Sequence, residues 1–350
     1  MKKRWFGLGA LLLLLIAGYW YGMPMYALHF STIELQNEDK IIYINTGSTL
    51  EDVANTIDEE GILDKAKFQS FSESLDFTDD KVEPGKYLVK GGMKVKELIY
   101  ALKNGNQEIK DVSITFNNCQ TIADMAGKVA PSIEADSAEI VDYIMDPETI
   151  NKYGFKEATI PAMFLPDTYE VGEWDMTAEE FVQFMADEFK DFWGDEQLGR
   201  KAKVKELGLS ESQVSTLASI IEAEQGIVQQ EWPTIAGLYL NRVRLGMKLQ
   251  SDPTAKFCWG DELKGVQRLL DVHMQKDCPY NTYIYAGLPP GPIRIPSKKA
   301  IDAVLNADHH DYLYMCAKPD NSGLHNFAST YNQHLKNAKL WWKFAKERGY

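Results

Sequence analysis

The sequence predicts an α+β chain in three parts: a single N-terminal transmembrane helix, a small α+β module, and a larger mixed α+β domain. Three observations carry this. An uncharged run from Trp5 to Leu28 follows Met-Lys-Lys-Arg, and it covers the ~20 residues a helix needs to cross a bilayer. Short strand-like stretches then alternate with helical spacing over residues 39–105. Beyond residue 208, helical periodicity dominates, broken by proline-rich turns and one hairpin pattern.

The basic tip Lys2, Lys3 and Arg4 holds the first residues on the cytoplasmic side. Trp5 marks one membrane interface, and Tyr19, Trp20, Tyr21 and Tyr26 mark the other. A cleaved signal peptide is the rival reading. Bulky aromatics crowd the region where its small-x-small site would lie, and no cysteine follows for a lipid. The expectation is an uncleaved single-pass anchor over residues 1–30, with everything after about residue 30 outside the cytoplasmic membrane.

Residues 39–105 read as the small module. Lys40–Ile44 is a strand ending at Asn45 and Gly47. Ser48 or Thr49 caps a helix whose Leu50, Val53, Ala54 and Ile57 follow the i, i+3, i+4, i+7 pattern of a buried face. A second helix is expected around Ala66–Leu75, a turn and strand over Val82–Val89, and a further helix from Lys94 that stops near Gly105.

Residues 106–208 form a linking, mostly helical part: a strand at Asp111–Phe116, polar helical segments, an aromatic connector at Phe164–Tyr169, and a helix at Thr177–Trp193. The richest region is 209–350. Ser210 and Gln213 make a capping-box pair ahead of the stripe Val214, Leu217, Ala218 and Ile221, with Glu222 and Glu224 on its flanks. A helix at Trp232–Val243 ends before Gly246. Gly287–Ile293 sets three prolines and two glycines in seven residues, a stiff loop of defined shape. A helix at Ser297–Leu305, a hairpin of Tyr312–Ala317 with His325–Ser329, and an amphipathic helix at Tyr331–Arg348 complete the chain.

Composition excludes several functions. With 37 basic against 51 acidic side chains the net charge is −14, which argues against nucleic acid as a partner. Four cysteines without a CxxC pair exclude a zinc ribbon. His309-His310 lacks HExxH or His-x-His spacing, so no metal site is expected there. No cofactor is implied, since neither a serine-hydrolase elbow nor a phosphate loop is present. Cys258 and Cys278, twenty residues apart, are expected to pair in an oxidising compartment, although spacing leaves the connectivity open.

Acidic pairs on a helix are usually solvated surface. Here Glu222 and Glu224 share a region with an apolar helix, a rigid loop, and Asn, Gln, Thr and Tyr residues suited to binding hydroxyls. That mixture suits a carbohydrate cleft, in which one carboxyl of raised pKa donates a proton. Gln250, Asp252, Asn281 and Tyr283 are the residues expected to position sugars. Helical arithmetic does not choose between the two glutamates.

Leu217-Ala218-Ser219-Ile220-Ile221-Glu222-Ala223-Glu224 resembles the catalytic motif of the YceG-like endolytic murein transglycosylases. So do Asn241–Met247 with Leu249–Thr254, Tyr280–Tyr283 with Gly287–Ile293, and Tyr312–Tyr314 with Phe327–Tyr331, in the family's order. Phe164–Tyr169 resembles the family's linker motif. Where the family commonly has Ala-Asn-Pro-Gly after Gly-Pro-Ile, this chain has Arg294-Ile295-Pro296-Ser297.

The resemblance implies an inner-membrane enzyme with a LysM-like module before a catalytic domain at 209–350. It implies cleavage of MurNAc–GlcNAc bonds inside peptidoglycan glycan strands, leaving 1,6-anhydro-MurNAc ends and terminating nascent strands beside a peptidoglycan synthase. In the family motif the first glutamate is catalytic, which maps to Glu222. Its carboxyl is then expected to titrate above the free-Glu value, and Glu224 to matter much less. A membrane-anchored, non-catalytic peptidoglycan-binding scaffold is the alternative. A two-carboxylate hydrolase would need a second acid, for which Asp252 is the candidate.

Overall fold

The computed structural model describes Tyr26, residues 30–35, 39–106, 112–266 and 268–348. Apart from Tyr26 and residue 30, the anchor expected over residues 1–30 lies outside these. Among the described residues no helix is long and apolar enough to cross a membrane. The chain divides into two units, the first made of residues up to Ile114 with Ser132–Glu134 and Glu170–Thr177, the second of the remainder.

The first unit follows its sequence pattern closely. Strand β1 (Lys40–Ile44) pairs antiparallel with β2 (Gly85–Val89), in register from Lys40 opposite Val89 to Ile44 opposite Gly85. Ile42 and Ile44 point into the core while Ile41 and Tyr43 stay exposed, the alternation a half-buried strand requires. Helix α1 (Leu50–Glu59) starts at a Thr49–Asp52 capping box and buries Val53, Ala54 and Ile57. Helix α2 (Lys65–Ser74) is capped by Asp64. Helix α3 (Val95–Asn104) ends on Gly105 in the left-handed conformation, which a residue without Cβ adopts at no steric cost. Returning segments close the unit: Glu134 accepts hydrogen bonds from the Thr46 backbone N–H and hydroxyl, and Trp174 packs on Tyr43.

Strands β3 (Val112–Phe116) and β4 (Asp167–Gly172) form a two-stranded sheet. The segment Phe164–Tyr169, expected as a connector, thus runs into a strand. Local sequence could not reveal this, because the strand's partner lies about fifty residues away. Helices α4 (Ile122–Val129), α5 (Ser137–Met145) and α6 (Pro147–Lys152) are the polar helical segments, each with a side-chain N-cap.

In the second unit, α7 (Ala178–Gly194) buries Phe181, Met185, Phe192 and Trp193. Helix α8 (Arg200–Leu207) has no apolar stripe and was not expected from the sequence. Its anchor is Arg200, whose guanidinium meets both Asp302 carboxylate oxygens at 2.8 and 3.0 Å, donates to the Phe192 carbonyl, and stacks on the Phe192 ring. A planar bidentate guanidinium can hold a helix that apolar periodicity cannot.

Helix α9 (Glu211–Glu224) is the axis of this unit. All eight residues from Val214 to Ile221 are buried, Ser215, Thr216 and Ser219 included. The expected stripe is therefore one side of a helix enclosed all round. Around it pack α10 (Trp232–Arg244), α11 (Asp252–Trp259) and α12 (Lys298–Leu305). Strands β5 (Tyr314–Ala317) and β6 (His325–Ala328) form the expected antiparallel hairpin, against which α13 (Tyr331–Glu347) lies. Cys258 and Cys278 are disulfide-bonded, as expected, and they staple a small satellite core of Ala255, Leu263 and Leu269.

Candidate active site

Three residues near the C-terminal end of α9 each hold a different loop. Ser219 Oγ, two residues inside the buried run, accepts the Ile293 N–H at 3.0 Å and so fixes the Pro/Gly loop. Glu222 Oε2 accepts the Ser297 N–H at 2.9 Å, at the N-cap of α12. Glu224 Oε2 accepts the Ser251 hydroxyl at 2.8 Å, at the N-cap of α11. Free N–H groups and the positive end of the dipole make a helix N-terminus a natural partner for a carboxylate. The motif residues, far apart in sequence, thus converge on one helix end.

The two glutamates differ in what remains free. Oε1 of Glu222 has no hydrogen-bond partner among the described residues. A carboxylic acid that accepts an N–H on one oxygen can carry its proton on the other, where a substrate oxygen can meet it. Both residues are half-buried, but it is the Glu224 carboxyl that loses its water. Burial pushes its carboxyl up to about 7, Asp252 adds to the rise, and the Ser251 and Tyr239 hydroxyls and Arg242 pull it back. The carboxyl raised by burial is therefore found at Glu224, although the sequence placed that expectation on Glu222. Burial here comes from α10 and the 250–252 turn, which local spacing does not contain.

The sign of the resulting pH dependence is fixed. The native state binds the Glu224 proton more tightly than an ordinary carboxyl at 4.5. Stability is then fully present below pH 4.5 and is lost as the pH rises toward about 7. Glu224→Gln keeps the shape and removes this titration. Urea midpoints taken across the same window should show the variant gaining on the parent by roughly 2–3 kcal/mol. Parallel curves would mean that Glu224 is not held neutral.

The expected sugar-positioning residues are brought together unequally. Gln250 is exposed, in the left-handed region at φ 50°, with its N–H on the Thr282 carbonyl at 3.1 Å. Asp252 is exposed and its carboxylate accepts the Tyr283 hydroxyl. Burial and that neighbouring carboxylate together push the Tyr283 phenol well up. Asn281 departs from expectation. It is fully buried, its amide donates to the Met274 and Lys276 carbonyls, and its Oδ1 accepts the Tyr283 N–H. Asn281 therefore shapes the turn that presents Tyr283 and offers nothing to a ligand.

Several residues here carried no expected role: Arg242, Thr254 and Thr282 lie within the motifs, Gln225 and Glu231 outside them. Thr282 Oγ1 accepts the Ser251 N–H and meets the Thr254 hydroxyl, tying the 250–254 and 281–283 segments together. Gln225, directly after α9, donates to Glu231 Oε2 and to the Gly323 carbonyl, while its own carbonyl accepts the Trp232 indole. Glu231 in turn holds the His325 N–H at 2.9 Å and Nδ1 at 2.8 Å. Arg242 donates to the Leu249 and Leu313 carbonyls. The only sequence signal for these is a cluster of polar residues at positions that flank apolar runs.

Residues 42–340 match the model of the YceG-like family. An endolytic murein transglycosylase of Bacillus subtilis (strain 168) is 26% identical over 310 residues, covering 84% of this chain and 82% of that protein. One of Streptococcus pneumoniae serotype 2 (strain D39 / NCTC 7466) is 24% identical over 354 residues, covering 93% of this chain and 63% of the longer relative. The crystal structure of a yceG-like protein from Listeria monocytogenes shares the fold at TM-score 0.52 and 23% identity, over 85% of this chain and 98% of that one.

Proposed function

The chain belongs to the YceG-like family, and from that membership we propose that it is an endolytic murein transglycosylase whose reacting carboxyl is Glu222. The observation that carries this reading is the family match over 42–340 together with relatives named for that activity. The geometry of α9 is suited to the chemistry. Glu222, anchored by Ser297 on Oε2, keeps its second oxygen free for a proton.

In the proposed reaction, neutral Glu222 protonates the glycosidic oxygen between N-acetylmuramic acid and N-acetylglucosamine, and the C1–O bond breaks. The carboxylate then removes the proton from the muramic C6 hydroxyl, whose oxygen closes on C1 and gives a 1,6-anhydro end. No water is consumed, and Glu222 returns to its neutral form. One carboxyl serves both steps because the nucleophile is tethered within the substrate, with the gain in orientation that brings. Gln250, Asp252 and Tyr283 line up polar groups for the sugars, and Glu224 holds the turn that carries them. The module at 39–105 is proposed as a LysM-like glycan-binding part without chemistry of its own.

Mass-spectrometric analysis of the ends made on purified glycan strands tests this. Cuts within strands that leave 1,6-anhydro ends are expected, and ordinary reducing ends would reject the lytic mechanism. A chain lacking 39–105 should make the same ends yet be retained less on isolated sacculi. The enzyme is proposed to be anchored in the inner membrane by residues 1–30, with its catalytic part outside, beside a peptidoglycan synthase. A C-terminal reporter that works only in the cytoplasm should then be silent, and an active reporter would overturn the topology.

A further inference from the structure

Helix α13 concentrates positive charge in an acidic chain. Between Tyr331 and Arg348 there are five basic side chains, Lys336, Lys339, Lys343, Lys346 and Arg348, against one acid, Glu347, while the whole chain carries −14. The lysines recur at i, i+3, i+7 and i+10. At the helical period they fall within an arc of about 80° and along about 15 Å of helix. All four are exposed. Only Lys343 approaches an acid, Glu347 at 4.0 Å, and that pair is itself solvated. Lys336, Lys339 and Lys346 have no partner among the described residues.

The opposite side of α13 is already used. Ala338 is buried, Trp341 and Phe344 are half-buried, and His334 stacks on Tyr314 of β5. The lysine arc is thus the outward face of a docked helix. Trp342 lies about 40° beyond one edge of that arc and stays 60% exposed, while Tyr331 turns farther round, its ring 5.8 Å from that of Tyr314 in β5.

We propose that this face of α13 lies against an anionic phospholipid surface. A Trp such as Trp342 settles at the headgroup level, with an apolar ring and a polar handle. Each lysine brought near an anionic leaflet strengthens partition roughly fivefold, through about 1 kcal/mol of attraction. A plane can meet all four lysines and the Trp342 ring beside them. A glycan would instead call for planar acceptors and donors matched to hydroxyls, and this face supplies point charges. The inference does not depend on the reaction assigned to Glu222.

The full chain is reconstituted into vesicles of phosphatidylcholine alone or of phosphatidylcholine with phosphatidylglycerol. Lysine acetylation is then read residue by residue by mass spectrometry. Lys336, Lys339, Lys343 and Lys346 should label ~5-fold more slowly in the anionic vesicles, with the protection lost at high salt. The exposed Lys264 and Lys299 should label alike in both. K339E with K343E should remove the lipid dependence at Lys336 and Lys346 while leaving turnover on soluble strands unchanged. Equal labelling in both vesicles overturns the proposal. Protection that appears only when isolated sacculi are added to neutral vesicles also overturns it and gives the face to glycan.

Discussion

Glu222→Gln should lower turnover on glycan strands by ~10²-fold or more while leaving strand binding in place. The substitution is nearly isosteric, and the amide oxygen can still accept the Ser297 N–H that Glu222 takes at 2.9 Å. What it removes is the acid proton for the leaving oxygen and the base for the C6 hydroxyl, both supplied by one group. Binding rests on other side chains, so the loss should fall on kcat and not on KM. Glu224→Gln is the matched control. Its carboxyl sits two residues along on the same helix, already committed to Ser251 and Tyr239, and its turnover should change far less. If Glu222→Gln turns over normally and Glu224→Gln does not, the reacting carboxyl is Glu224, and the assignment fails.

Gly291→Ala should be nearly as damaging without touching a reacting atom. A Cβ at position 291 would lie 1.7 Å from the Ala158 carbonyl oxygen and 2.6 Å from its carbon, so backbone would have to move. Overpacking typically costs 1–3 kcal/mol, and a backbone-on-backbone clash should sit near about 3 kcal/mol. The loop cannot move alone. Ile293 is held by Ser219, and four residues on Ser297 is held by Glu222, so displacement reaches the acid directly. Misplacement of a catalytic group by about 1 Å can cost ~10²-fold in rate. Gly127→Ala in α4 is the comparison, since a Cβ there meets nothing within 4 Å. It should be neutral or stabilising by up to about 1 kcal/mol. Equal melting points and rates for the two variants would show that the loop tolerates the extra atom.

Much of the fold was legible because its signals are local. The Thr49–Asp52 and Ser210–Gln213 capping boxes, strand β1, the end of α3 at Gly105 and the β5–β6 hairpin are each set by residues within a few positions of one another. The proline and glycine content of 287–293 correctly marked a stiff loop. It did not say that Gly291 abuts Ala158, over a hundred residues earlier. Helix α8 was invisible for the same reason: its mean hydropathy is low, and Arg200 is buried only because Asp302 and Phe192 meet it.

The candidate site divides along the same line. By itself the sequence supplied the two glutamates, the polar residues Gln250, Asp252 and Tyr283, and the order of motifs that identifies the family. Only the tertiary structure decided which carboxyl is enclosed, because the burial that raises Glu224 and the hydroxyls of Tyr239 and Ser251 come from other elements. It also turned Asn281 inward, since its amide closes a turn through Met274 and Lys276. Periodicity records which face of an element is apolar. A polar group's ionisation and hydrogen bonds depend on what the chain brings against it from a distance, and no local pattern contains that.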